Sequence, residues 1–197
     1  MRLNNIELKG ERVKLIPMSE EHASALYEAG KEEKVWDYMP RKVSNYKDMQ
    51  ALVKEALKDK ENESSLPFVI VDLQTKQVVG STRFTHIEMG HRHLEIGWTW
   101  LNPAVWGTRV NTECKYLLLK YCFEELKLVR VQLKADARNR RSLQAIERIG
   151  AKKEGVLRKE RILPDGFIRD AVYYSIIQEE WDEISSQLKS YLSKIYT

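Results

Sequence analysis

The chain has 197 residues, 43% of them hydrophobic and 31% charged, which suits one domain spanning residues 1–197 and leaves too little chain for two full cores. Its 33 Lys and Arg against 29 Asp and Glu give a net charge of +4, scattered along the sequence. That distribution excludes a dedicated nucleic-acid binder and leaves room for an anionic small ligand. No run approaches a membrane span, and the opening MRLNNIELKGERVKL lacks the apolar stretch of a signal peptide, so a cytoplasmic protein without membrane attachment is expected.

From Glu7 to Pro17, Val13, Leu15 and Pro17 alternate with charged or smaller residues and predict a strand. Ser19 is a good N-cap, and Glu20 and Glu21 place negative charge in the first turn of the helix that follows. A second helix is predicted from Asn45, where Met49, Leu52, Val53, Ala56 and Leu57 recur at helical spacing; the run Asp59 to Ser65 closes it as a polar loop. Leu66 to Asp72, Val78 to Phe84 and Leu94 to Leu101 then predict a meander of antiparallel strands. In the last of these, simple alternation puts Leu94, Ile96, Trp98 and Trp100 on one face and Glu95, Gly97 and Thr99 on the other.

A long helix from about Val110 to Lys127 carries Cys114 and Cys122, eight residues apart in an apolar pattern. With no second pair to build a metal site or a disulfide framework, both are expected to be buried free thiols. A strand from Val129 to Ala135, a helix from Arg140 to Ile149 and a hairpin follow. The hairpin pairs Lys152 to Ile162 with Phe167 to Ile177, turning at Leu163-Pro164-Asp165-Gly166. An amphipathic helix at about 179–195 ends the chain, with Trp181, Ile184, Leu188, Tyr191 and Ile195 on one stripe. This order describes a mixed α/β fold with a largely antiparallel sheet and one strand-helix-strand unit. His91-Arg92-His93 has no clustered Cys or carboxylate and is taken as a loop pair, so no metal is expected.

The segment Asn102 to Glu113 carries the most chemistry. Pro103 interrupts strand pairing, Gly107 permits a tight turn, and the chain then enters a helix whose first amides lack internal partners. Such a helix start binds phosphate; it also fits an ordinary connection capped by Thr108 or Asn111.

In order and in residues the region resembles the Gcn5-related N-acetyltransferase superfamily, and within it the ribosomal-protein alanine/serine acetyltransferase-like branch. Glu95-Ile96-Gly97-Trp98 is similar to the family's fourth strand, and Trp106-Gly107-Thr108 to the opening of its pyrophosphate loop. Asn139-Arg140-Arg141-Ser142 with Ile149-Gly150-Ala151 resembles its Asn-x-x-Ser/Ala…Gly-Phe/Ala signature. The resemblance spans roughly Glu7 to Trp181. It implies a mostly antiparallel central sheet with helices on both faces, acetyl-CoA as cosubstrate, and an amine acceptor, either a small molecule or a protein N-terminus. It also implies coenzyme binding by Leu101, Trp106, Gly107, Thr108, Arg109, Val110, Asn111, Asn139 and Ser142. Glu95 is the first candidate base and Glu113 the second; Ser142 is the candidate acid for the thiolate.

The loop departs from the family's Gln/Arg-x-x-Gly-x-Gly/Ala form: Trp106 replaces the first residue, Arg109 the central Gly and Asn111 the last small residue. Arg109 is expected either to weaken coenzyme binding or to add a cation beside the phosphates. Arg138, Arg140 and Arg141 are further candidates for the nucleotide phosphates. Ile146 stands where many members carry the Tyr that protonates the thiolate. These departures motivate an alternative, a catalytically silent acyl-CoA-binding or interaction protein on the same fold. A homodimer through the late hairpin and terminal helix also fits the sequence.

Overall fold

The computed structural model describes residues 6–194. An eight-stranded sheet forms the frame, in the order β1-β2-β3-β4-β5-β6-β8-β7, and all its pairings are antiparallel except β5 with β6. The strands are β1 (Leu8–Lys9), β2 (Val13–Pro17), β3 (Ser65–Asp72), β4 (Gln77–Glu88), β5 (His93–Leu101), β6 (Arg130–Asp136), β7 (Lys152–Ile162) and β8 (Ile168–Ile177). The first predicted strand is thus two, folded back at Gly10.

Helices α1 (Ala23–Ala29) and α2 (Tyr46–Glu61) cover one face. They bury Leu26, Met49, Leu52 and Val53 against Val69 and Trp100. On the other face lie α3 (Arg109–Lys120), α4 (Arg140–Arg148) and α5 (Trp181–Ser193), and their core includes Leu118, Ile146 and Ile184 with Phe68, Ile96 and Leu133 of the sheet. Helices therefore cover both faces, as the family resemblance implies. Asn45 caps α2, accepting from Asp48 N at 3.1 Å. This helix runs on through Asp59 to Glu61, where a polar loop was expected, because Asp59 faces the buried Arg83 at 3.7 Å. Beyond Lys120, α3 widens into a π turn, Tyr121–Glu125. The stripe of α5 buries Trp181, Ile184, Leu188 and Leu192; Ile195 lies outside the described residues.

Between Ser81 and Arg83 the β4–β5 ladder carries one extra residue on β5. Arg83 stands opposite Gly97 and Ser81 opposite Trp100, so two steps along β4 match three along β5. Trp98 takes up the difference with φ 53°, which makes this a β-bulge. Gly80 is the close neighbour of that irregularity, since a Cβ there would lie 2.1 Å from Trp100 O. Gly80→Ala should therefore cost about 1–3 kcal/mol of stability, lowering the thermal midpoint by on the order of 5 °C. An unchanged midpoint by calorimetry would contradict this packing.

Candidate active site

β5 and β6 pair at three positions only, His93 with Arg130, Leu94 with Val131 and Glu95 with Gln132. Yet β5 continues to Leu101 and β6 to Asp136. Beyond Glu95 the strands run on without sharing hydrogen bonds, and a wedge opens between their carboxyl ends. The inner backbone groups of both strands are left for another partner there. Each wall leads into a helix start: residues 102–108 connect β5 to α3, and residues 137–139 connect β6 to α4.

The bulge corrects the predicted alternation. Leu94 and Ile96 enter the core beneath α3, but after the extra residue Trp98 and Trp100 pack on the α1–α2 side. Glu95 also faces that side, bonding Gln132 of β6, whose neighbours Val131 and Leu133 point the opposite way. The carboxylate and the tryptophans therefore share a face, contrary to the alternation read from sequence. Thr99 goes the other way, under α3.

Glu95 is only 3% exposed. Its Oε2 accepts from Gln132 Nε2 at 2.8 Å and lies 3.4 Å from Lys134 Nζ and 3.7 Å from His86 Nδ1. Oε1 takes no hydrogen bond among the described residues and lies along Gly97, where a Cβ would come within 2.9 Å of it. Glycine at 97 thus keeps one carboxylate oxygen open beside the bulge. Lys134 also lies 3.4 Å from Glu160, which accepts from Arg169 and is held below its usual range by Arg169 and Lys134 despite partial burial. Gln132 and Lys134 were legible only as the polar half of β6's two-residue period; nothing local linked them to Glu95.

Of the loop residues, Thr108 caps α3, its Oγ1 accepting from Val110 N at 3.3 Å, while Asn111 does not cap it. Gly107 adopts φ 74° with open space around its Cα. Trp106 donates from Nε1 to Leu101 O at 2.9 Å and lies 3.3 Å beneath the guanidinium of Arg141, so a side-chain stack joins the two walls of the wedge. Asn139 caps α4 by accepting from Ser142 N at 3.1 Å. Ile146 is buried in the core, so no phenol stands at its position.

Two candidates are committed elsewhere. Arg109 pairs with Glu11 at 2.7 Å and with Glu113 at 3.4 Å, turning its charge toward the β1–β2 turn rather than the phosphate loop. Glu113, 3% exposed, accepts from the amides of Glu11 and Arg12 and fastens that turn to α3. Of the other arginines, Arg138 is held by Asp136 at 2.8 Å. Burial pushes the Cys114 thiol up to about 11 and that of Cys122 well above its ordinary value, which agrees with buried, unreactive thiols. Among the described residues no group of three or more His, Cys, Asp or Glu could hold a metal, and no helix is long and apolar enough to cross a membrane.

A wedge between two parallel strands, flanked by two helix starts and lined on one side by a carboxylate, is the frame of an acyl-CoA-dependent N-acyltransferase. Residues 12–152 match the acetyltransferase (GNAT) domain, and the chain belongs to that family. It is 29% identical over 159 residues to the uncharacterised N-acetyltransferase YnaD of Bacillus subtilis (strain 168), covering 80% of this chain and 89% of that one. YdaF of the same organism, named provisionally as a ribosomal N-acetyltransferase, is 34% identical over 103 residues, or 52% of this chain and 55% of YdaF. Among solved structures, a provisionally assigned acetyltransferase from T. thermophilus superposes with a TM-score of 0.89 at 35% identity, covering 98% of this chain and 100% of that one.

Behind the bulge, Lys115 of α3 donates from Nζ to Thr99 Oγ1 at 2.6 Å, and Thr99 bonds Thr82 at 2.8 Å. Burial pulls the Lys115 ammonium down to about 8. The unfolded chain keeps that proton to about pH 10.4, so between these values it binds more protons than the folded one. The penalty is full below pH 8 and is relieved as pH rises toward 10. Lys115→Met should raise the thermal midpoint at pH 7, with the gain shrinking by pH 10; a gain constant across that range would contradict a charged, buried Lys115. Glu113→Ala should cost about 1–3 kcal/mol by orphaning buried amides while leaving kcat within about twofold; a kcat loss much larger than its effect on the folded fraction would instead place Glu113 in the chemistry.

Proposed function

We propose that this acyltransferase moves the acetyl group of acetyl-CoA to a primary amine by direct attack in a ternary complex, the acceptor being a protein N-terminus or a small amine. The observation that carries this reading is the loss of β5–β6 pairing after Glu95, with one carboxylate oxygen beside the bulge that takes no hydrogen bond among the described residues. The pantetheine arm takes the place of the missing ladder, bonding the free backbone groups of β5 and passing Leu101, whose carbonyl already accepts from Trp106 Nε1. The pyrophosphate rests on the amides from Trp106 through Gly107, Thr108, Arg109 and Val110 to Asn111, where the helix dipole favours negative charge. Arg109 contributes its backbone amide there, its side chain being paired with Glu11 and Glu113. Asn139 uses its amide nitrogen on the arm while its oxygen holds Ser142 N.

The amine approaches from the α1–α2 side, the face that carries Glu95, Trp98 and Trp100. Its nitrogen attacks the thioester carbonyl, the new C–N bond forms and the C–S bond breaks. Backbone donors at the bulge stabilise the oxyanion. Glu95 takes the amine proton directly or through water, and Ser142 or solvent returns one to the thiolate, an easy acceptor with a pKa of about 8.5. YdaF's provisional ribosomal name favours a protein N-terminus among the acceptors.

Thiol release from acetyl-CoA, measured with a panel of N-terminal peptides, polyamines and small amines, tests this. Glu95→Gln should lower kcat on the order of 100-fold with coenzyme affinity nearly unchanged, and Ser142→Ala should lower it less. Undiminished rates in both variants would assign the proton transfers to water. Coenzyme binding without release for every amine would contradict the enzyme reading and favour a silent binding protein.

A further inference from the structure

α5 lies beyond residues 12–152, the part matched to the family, yet it walls a cavity of about 490 Å³ together with α3 and α4. That volume lies within the range of pockets that hold nucleotide-sized ligands. Thr112 enters it from the first turn of α3, the turn whose amides are proposed to hold pyrophosphate. Thr112 is 1% exposed, and its Oγ1 has no hydrogen-bond partner among the described residues. A buried hydroxyl left in this condition costs about 1–3 kcal/mol unless something bonds it.

The apolar side chains of Ile149 and Leu188 also line it, and the charge they sit beside is of one sign. Arg148 at the end of α4 and Lys194 at the end of α5 bring two cations, and among the described residues no carboxylate lines the cavity. Neither cation forms an ion pair among the described residues. Arg148 lies 5.9 Å from the ring centroid of Tyr191, so one cation and one aromatic face occupy the same wall. Ser186 and Ser190 add hydroxyls between them. Two cations, an aromatic ring and an unpaired buried hydroxyl suit a phosphorylated nucleoside better than an amine or an apolar chain.

The geometry points to α5 as the nucleotide reader of this chain: Arg148 and Lys194 take the 3′-phosphate of coenzyme A, Tyr191 faces the adenine, and Thr112 bonds the ribose or a phosphate oxygen. This rests on the coenzyme reading above, because pyrophosphate on the first turn of α3 leaves the nucleotide beside Thr112. It adds a determinant that residues 12–152 do not contain.

Calorimetric titration of the full chain with coenzyme A and with 3′-dephospho-coenzyme A tests the assignment. The wild type should bind coenzyme A about tenfold more tightly, the worth of one charge-assisted contact. Lys194→Ala and Arg148→Ala should each shrink that ratio, their combination should abolish it, and Lys194→Arg should retain it. Affinity for the dephospho form should stay unchanged in all four variants, which also reports that they are folded. Equal affinities of the wild type for the two ligands, or an undiminished ratio in the double variant, would overturn the proposal while leaving the coenzyme reading intact. Failure of the wild type to bind either ligand would overturn both.

Discussion

Parallel pairing of β5 with β6 stops at Glu95, and the functional geometry depends on that interruption. Parallel strands joined through a helix ordinarily share a ladder along their length; here three residue pairs hold the strands together and the remainder diverges. On its other edge β5 stays bonded to β4, but only by absorbing an extra residue at Trp98. The strand is therefore anchored on one side and released on the other. One sequence feature permits each event: Gly80 lets the β4 backbone approach Trp100 O closely, and Gly97 makes room for the carboxylate of Glu95.

The bulge also explains which parts of the site were legible in the sequence. Element order and the hairpin turn at Leu163–Gly166 follow from periodicity and turn chemistry, and Gly166 takes the positive φ of 84° expected there. The start of α2 at Asn45 was equally readable, as was the cap of α3 at Thr108, one of two options. Strand alternation failed at Trp98 because a single inserted residue reverses every side chain after it, and the one local mark, Gly97 inside the strand, signals an irregularity without saying which residue is added. Long-range partners were hidden as well. Glu113 reaches a turn more than a hundred residues away, and Arg109 follows it there. Both were candidates because they lie at a helix start, where phosphate chemistry and plain structural clamping require similar residues.

Several charges are buried where an apolar residue would pack at lower cost. Arg83, 3% exposed, lies 4.5 Å over the ring of Trp98, and burial pulls its guanidinium down to about 10. Lys115 braces Thr99 from the opposite face. The two flank the bulge from either side of the sheet, so the polar groups most expensive to bury surround the most irregular backbone in the strand. That arrangement fits a site whose shape matters more than its contribution to stability.

Hydrogen–deuterium exchange with and without coenzyme A tests most directly whether the ligand replaces the missing β5–β6 ladder. Added coenzyme should slow exchange of the amides in residues 97–101 and in residues 106–111, leaving the β7–β8 hairpin at its free rate. Protection confined to the hairpin, or no protection of the 97–101 amides at saturating coenzyme, would contradict the account.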